Sequence, residues 1–258
     1  MTIARRLLFA AALPVVLFVG WWVLSADSES FYSPPLSDIL TAFGNTWTLA
    51  AIKAEVVPSL LRLFAGYLLA SIAGVALGLA IGLNRRLRAT LEPVLEFFRA
   101  IPPPVLVPVI MLFAGIGDGM KVIVIVFGCV WPILLNTVEG VRAVDSVVLE
   151  TARSYRVTGM ARLTKVILPS AGPQIVTGLR QALSIAIILM VISEMFAASN
   201  GLGFTIVQFQ RSFAIPEMWS GIILLGLLGF ALSLLFRLAE KRVLRWYEGL
   251  REAQRRAG

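Results

Sequence analysis

Apolar residues in this chain gather into blocks of about 18 to 25, separated by short polar stretches. A helix rises about 1.5 Å per residue, so about 20 residues cross a bilayer core about 30 Å thick. The blocks predict six spans, over residues 7–24, 59–83, 102–117, 121–138, 175–197 and 218–238. The first could instead be a signal peptide cleaved near Ser25 and Ala26, although its apolar run exceeds the usual 7 to 15 or so residues. After Ser33, Pro34 and Pro35, helical spacing of Leu36, Ile39, Leu40 and Phe43 predicts an interfacial helix. In the second span Gly66, Ala70, Gly74, Gly78 and Gly82 recur every four residues. One helix face is therefore bare backbone, against which a helix of this chain or of a second copy can pack closely.

Gly115, Ile116, Gly117, Asp118 and Gly119 predict a tight reversal that makes a hairpin of spans 3 and 4. Pro102, Pro103, Pro104 and Pro108 exclude regular helix throughout the entry to span 3. That entry is either a proline-stiffened start or broken backbone bordering a polar pathway. The longest polar connection, residues 139–173, carries Leu149, Ala152 and Tyr155, then a break at Val157, Thr158 and Gly159, then Leu163 and Ile167. This pattern predicts two short amphipathic helices, ended by Pro169 and Pro173, that form a docking element.

Composition agrees with a membrane protein: 58% of the 258 residues are hydrophobic and 15% charged, with a mean hydropathy of +0.86, against about 25% charged in soluble domains. No connection is long enough for a soluble domain. One membrane domain over 1–258 is expected, with its core at 59–245 and residues 1–58 supplying the first span and the interfacial segment. The net charge of +8 would suggest a nucleic-acid partner if it were dispersed, but it is not. Most Lys and Arg residues fall in four segments: Arg5 and Arg6; Arg85, Arg86, Arg88 and Arg99; Arg142, Arg153, Arg156, Arg162 and Lys165; and Arg237, Lys241, Arg242, Arg245, Arg251, Arg255 and Arg256. The opposite side holds little beyond Lys53, Lys121 and Arg211. The positive-inside rule accounts for this asymmetry, places both termini in the cytoplasm and leaves no call for nucleic acid.

The chain has no histidine and one cysteine, Cys129, in an apolar run. Imidazole bases, His metal ligands and internal disulfides are excluded. No stretch fits G-x-x-x-x-G-K-[ST]; Gly117 to Lys121 is the nearest imitation, with the wrong spacing. Arg62 and Glu194 each lie about one turn inside the outer end of a span and are expected to pair or share a polar network, because a charge at membrane depth demands a partner. The pair either fixes two helices or touches solute. Arg180 is expected to snorkel or to meet Glu139. Phe204, Phe209 and Phe213 read as interfacial anchors.

The most specific signal lies in the docking loop. Glu150, Thr151 and Ala152, followed by Val166, Ile167, Leu168 and Pro169, resemble at matching spacing the E-A-A and I-x-L-P signature of the integral membrane permeases of bacterial binding-protein-dependent ABC importers. Thr151 replaces an alanine and Val166 an isoleucine. Arg156 stands where the family has glycine, with Gly159 three places later, which implies a shifted or reshaped turn. Arg85, Arg86 and Leu87 before Pro93, the run Phe98, Arg99, Ala100, Ile101 and Pro102, the triplets Gly140, Val141, Arg142 and Ser193, Glu194, Met195, and Gly201, Leu202, Gly203 are similar to the subgroup serving nitrate, taurine and alkanesulfonates.

The resemblance implies an all-α membrane protein of six transmembrane helices with the ABC importer permease (MetI-like) fold, in the inner membrane. It implies a homodimer whose loops insert as coupling helices into two cytoplasmic ABC ATPase subunits through Glu150, Thr151, Ala152, Arg156, Gly159, Val166, Leu168 and Pro169. ATP and Mg would sit on those ATPases, leaving no cofactor, metal or catalytic residue on this chain. An extracytoplasmic substrate-binding protein would deliver a small anion such as a sulfonate, taurine or nitrate, and Gln208, Gln210 and Arg211 face the side from which it comes. The rival readings are an ion-coupled secondary transporter or channel, which calls for midplane carboxylates or interrupted helices in related halves, and an intramembrane enzyme, which calls for clustered carboxylates or histidine.

Overall fold

A computed structural model describes residues 3–196, 198–247 and 249, with side chains from Ala12 onward. Arg251, Arg255 and Arg256, and the side chains of Arg5 and Arg6, lie outside the described residues. Every regular element among the described residues is helical. Contacts divide the chain into two compact units, Met1–Pro58 with Ser199–Gly226 and Ser59–Ala198 with Leu227–Gly258.

In the first unit, α1 spans Ile3–Ser25 and α2 spans Leu36–Thr46. Helix α2 is the predicted interfacial helix, but Leu36 and Ile39, each 1% exposed, point into protein. The Ser25 hydroxyl fixes its start by accepting from the Leu36 N–H at 3.1 Å. Thr48 then caps α3, Leu49–Leu83, its hydroxyl accepting from the Ala51 N–H at 3.4 Å. This helix begins well before the predicted residue 59. Pro58, just ahead of that residue, is accommodated by a π-helical turn over Ile52–Val56. Helix α9 spans Leu202–Arg211, and in the opening turns of α10, Ile215–Val243, the Ser220 hydroxyl accepts from Trp47 Nε1 at 3.0 Å.

The second unit contains a helix that hydropathy alone passed over: α4, Arg85–Ala100. Asn84 Oδ1 caps it, accepting from the Arg86 and Leu87 N–H groups at 3.1 Å each. Its Leu91 and Leu95 pack on Ile81, Leu134 and Val138, and Phe98 stacks on Trp131 with ring centroids 6.0 Å apart. The prolines then bend the chain by 81° through a 3-10 turn, Pro103–Leu106, into α5, Val107–Ala114. At about 12 Å, α5 is too short to cross a bilayer. The third span expected over 102–117 is therefore not one regular crossing helix, because each residue before a proline is pushed out of the helical region, and Ile101 and Pro102 are indeed extended, at ψ 118° and 119°.

After the Gly115–Gly117 reversal comes α6, Asp118–Arg142, followed by α7, Ser146–Ser154, and α8, Gly159–Phe196. Of the two short loop helices expected, only α7 stands apart. The second is the start of α8, since a second π-helical turn, Leu163–Ile167, admits Pro169 without ending the helix, and Pro173 lies within it. Among the described residues α3, α6, α8 and α10 are long and apolar enough to cross a membrane, and α4 with the Pro103–Ala114 stretch forms a bent fifth candidate.

The four-residue small stripe of α3 packs inside the chain. A Cβ added at Gly66, Gly74, Gly78 or Gly82 would meet Ile125, Ile133, Thr137 or Val141 within 2.9 Å. The constant offset between these partners means that α3 and α6 run parallel in one register, backbone against side chain. Helix α8 lies antiparallel on α6, with Gly178 against Asn136 and Gly128 against Leu189. Lipid supplies no hydrophobic drive between helices, so such close van der Waals contact is one of the terms that hold them together.

Candidate functional site

Three features stand out: a buried charge cluster, an exposed docking helix and a clamped surface helix. In the cluster, α8 presents Glu194, fully buried, and α3 presents Arg62, 5% exposed. Arg62 Nη1 donates to Glu194 Oε1 at 2.7 Å, and its Nη2 and Nε lie 2.8 Å from Asp118 Oδ1. The Ser59 hydroxyl meets both Glu194 oxygens, at 2.8 and 2.9 Å. Buried Lys121 reaches Asp118 at 3.3 Å. These side chains join α3, α6 and α8. Burial of Glu194 suits helix fixation rather than contact with a passing solute. Sequence reasoning missed Ser59, Asp118 and Lys121; the signal was the i, i+3 spacing of Ser59 from Arg62 and of Asp118 from Lys121.

Arg180 does not meet Glu139. It pairs with Glu240 of α10, while Glu139 bonds Arg142 on its own helix at 2.5 Å, a nearer partner that needs no second element.

The docking helix α7 starts at Asp145, whose side chain accepts from the Val147 N–H at 2.8 Å. Leu149 packs on the buried group Val141, Ile167, Ala171 and Ile175, and Ala152 is buried against the body of the unit. That leaves Glu150 and Thr151 exposed, as are Arg156, Gly159 and Pro169, whereas Val166 and Leu168 are half-buried. Tyr155, expected on the apolar face, is 79% exposed. Val147, Val148, Thr151, Tyr155, Val157 and Val166 border an open apolar groove of about 350 Å³.

The end of α7 settles the question of the displaced glycine. The Val157 N–H donates to Ala152 O at 2.8 Å and the Arg156 N–H to Arg153 O at 2.9 Å. This is the Schellman closure, whose C′ residue sits in the left-handed region. Arg156 occupies that position with φ +56°. The helix closure stays at Arg156, where two hydrogen bonds fix the backbone and the arginine accepts a conformation that favours glycine, at about 1–2 kcal/mol, while Gly159, at φ +57°, supplies a second left-handed residue at the start of α8.

In the first unit, α9, Leu202–Arg211, exposes Gln208, Gln210 and Arg211. Its start is clamped by Glu55, whose Oε2 accepts from the Gly201 N–H at 2.7 Å and the Thr205 hydroxyl at 3.0 Å. A carboxylate suits a helix N-terminus, and Gly201, at φ +120°, makes a turn open only to glycine. Sequence reasoning missed Glu55, which lies in the π-helical turn of α3.

Among the described residues the chain is thus a helical membrane protein that carries a short, partly exposed helix, α7, between two of its crossing helices. Residues 66–245 match the family described as the binding-protein-dependent transport system inner membrane component, and the chain belongs to that family. It is 29% identical over 252 residues to the taurine transport system permease protein TauC of Escherichia coli (strain K12), covering 95% of this chain and 92% of that protein. It is 30% identical over 243 residues to the putative aliphatic sulfonates transport permease protein SsuC of Bacillus subtilis (strain 168), covering 92% and 88%. It is 29% identical over 250 residues to the nitrate import permease protein NrtB of Leptolyngbya laminosa, covering 94% and 89%. In fold it is similar to an inward-facing structure of the MetNI methionine ABC transporter, with a TM-score of 0.64 at 20% identity over 75% of this chain and 94% of that one. The chain is an ABC importer permease, multi-pass in the inner membrane.

Proposed function

We propose that two copies of this chain form the inner-membrane pathway for a small oxyanion, a sulfonate, taurine or nitrate, and that two ABC ATPases bearing ATP and Mg drive it from the cytoplasmic side. The observation that carries the coupling is α7: its apolar side anchors the helix, while Glu150 and Thr151 and an open apolar groove are left to a partner. A short helix seated in a groove passes on rigid-body motion. The solute class comes from the names of the relatives, and the orientation, with both termini cytoplasmic, from the charge asymmetry. Gln208, Gln210 and Arg211 on clamped α9 are the proposed contacts of the extracytoplasmic binding protein. This chain does no chemistry; hydrolysis belongs to the ATPases.

Cysteines placed one at a time at Glu150, Thr151 and Gly159 should cross-link to the ATPase, and radiolabelled oxyanion should enter proteoliposomes only with ATPase, ATP and binding protein present. Capture of no ATPase, or labelling of these cysteines from the periplasmic side, would reject the coupling role. Uptake without any ATPase would favour the ion-coupled carrier.

A further inference from the structure

Helix α8, long and apolar enough to cross a membrane, carries Gln174, Thr177, Gln181 and Ser184 on one exposed face, spaced by three or four residues. Asn136 of α6 lies beside them. Amides cannot be left to lipid hydrocarbon, so such a face must meet water or protein. The hydrogen bonds fix which way each amide points. Pro132 O can only accept, and Asn136 donates Nδ2 to it at 2.7 Å. Asn136 Oδ1 therefore turns to Gln174, which donates Nε2 at 2.9 Å. The second N–H of Asn136 goes to Gln181 Oε1 at 3.2 Å. Gln181 has its acceptor occupied, and its NH2 group, without a partner among the described residues, faces away from the network. One turn further, Ser184 adds a hydroxyl on the same face, and the next exposed position is apolar Ile188.

We propose that this face lines the solute pathway in the cytoplasmic half of the membrane, with Gln181 and Ser184 as hydrogen-bond donors to the passing oxyanion and Asn136 as the residue that positions Gln181. The inference rests on the oxyanion reading above and deepens it by naming the contacts. Neutral donors suit a pathway better than a buried cation: they replace the hydration of a sulfonate or nitrate oxygen yet hold it weakly enough for release. The nearest basic side chain on the helix, Arg180, is committed to Glu240. A donor chain running from Gln174 through Asn136 also polarises the Gln181 N–H groups outward.

The test uses the whole permease, ATPase and binding-protein complex in proteoliposomes, with radiolabelled taurine, ethanesulfonate and nitrate as separate probes, at equal amounts of assembled complex. Gln181→Leu and Gln181→Glu should each cut uptake of the imported probe at least 10-fold, Gln181→Asn should retain most of it, and Asn136→Leu should fall between. In parallel, a Gln181→Cys complex is treated with an anionic and a cationic methanethiosulfonate, each rate normalised to its rate with a small thiol in water; Cys129 is buried. Faster normalised reaction with the anionic reagent supports the proposal. Unchanged uptake in Gln181→Leu, or no labelling in any nucleotide state, as at a sealed seam between two copies, overturns it. A native complex that imports none of the three probes overturns the oxyanion reading instead, and the reagent preference then still decides whether the face is an anion-preferring aqueous path.

Discussion

Glu194→Gln tests the buried cluster most sharply, because it keeps the side chain's shape and removes only its charge. Arg62, 5% exposed, would then face a neutral amide and the carboxylate of Asp118, which is itself 70% exposed. Breaking a buried ion pair by deleting one partner costs about 3–5 kcal/mol. Two features soften this: the amide oxygen can still accept from Arg62 or Ser59, and Asp118 stays within 2.8 Å of the guanidinium. A loss of about 2–3 kcal/mol is expected, at or just below the bottom of that range. Arg62→Gln should cost about 3–5 kcal/mol, since Glu194 is fully buried and loses its guanidinium, while Lys121 is turned to Asp118. The double replacement Arg62→Leu with Glu194→Leu leaves neither charge stranded and should be milder than the two single changes summed. The assay is unfolding of the purified permease in mixed micelles titrated with a denaturing detergent, run as a double-mutant cycle on Arg62→Gln and Glu194→Gln. A coupling energy of about 2 kcal/mol is expected for such contacting charges. Single losses that add to the double loss within about 0.5 kcal/mol would show the two residues acting independently and refute the pair as the joint between α3 and α8.

Gly78→Ala should destabilise by about 1–3 kcal/mol through overpacking, since the new Cβ would lie 2.6 Å from Thr137 Cβ and 2.8 Å from Leu134 O; Gly226→Ala, with nothing within 4 Å, should not, and equal effects in the same unfolding assay would discredit the helix contact. Arg156→Gly removes a left-handed strain of about 1–2 kcal/mol and adds about 0.5–1 kcal/mol of glycine entropy. It should therefore raise the thermal midpoint slightly, and a lowered midpoint would show that the arginine side chain contributes more than its backbone costs. Glu55→Gln weakens charge-assisted bonds worth about 1.5–3 kcal/mol, so amide exchange at Gly201 to Thr205 should quicken by about 10-fold or more while the rest of the chain keeps its protection.

What sequence shows and hides here follows from the range over which each signal acts. Hydropathy blocks located the crossing helices because insertion averages over about 20 residues; the same averaging hid α4, whose apolar and basic residues alternate around one turn. The small-residue stripe of α3 was plain, but its partner was not, since a bare face specifies closeness and not identity. Depth counting set Arg62 and Glu194 at one level, where they lie 2.7 Å apart, yet could not add Asp118, which sits among turn residues. Prolines misled most. Pro169 and Pro173 read as ending a helical segment, yet both lie inside one continuous helix; Pro169, like Pro58 in α3, is the second residue after a five-residue π-helical turn. In both turns, an i→i+5 bond, Val57 N–H to Ile52 O and Leu168 N–H to Leu163 O, widens the helix just ahead of the residue that lacks an N–H, easing the clash that normally stops it. The consequence is mechanical. Because α8 does not stop at Pro169, one helix of about 57 Å runs from Gly159, beside the docking helix, to Phe196, just beyond Glu194. In the proposed coupling, a load applied at the loop would pass along that helix to the buried cluster without crossing a hinge loop, which is what a subunit driven from one side of a membrane requires.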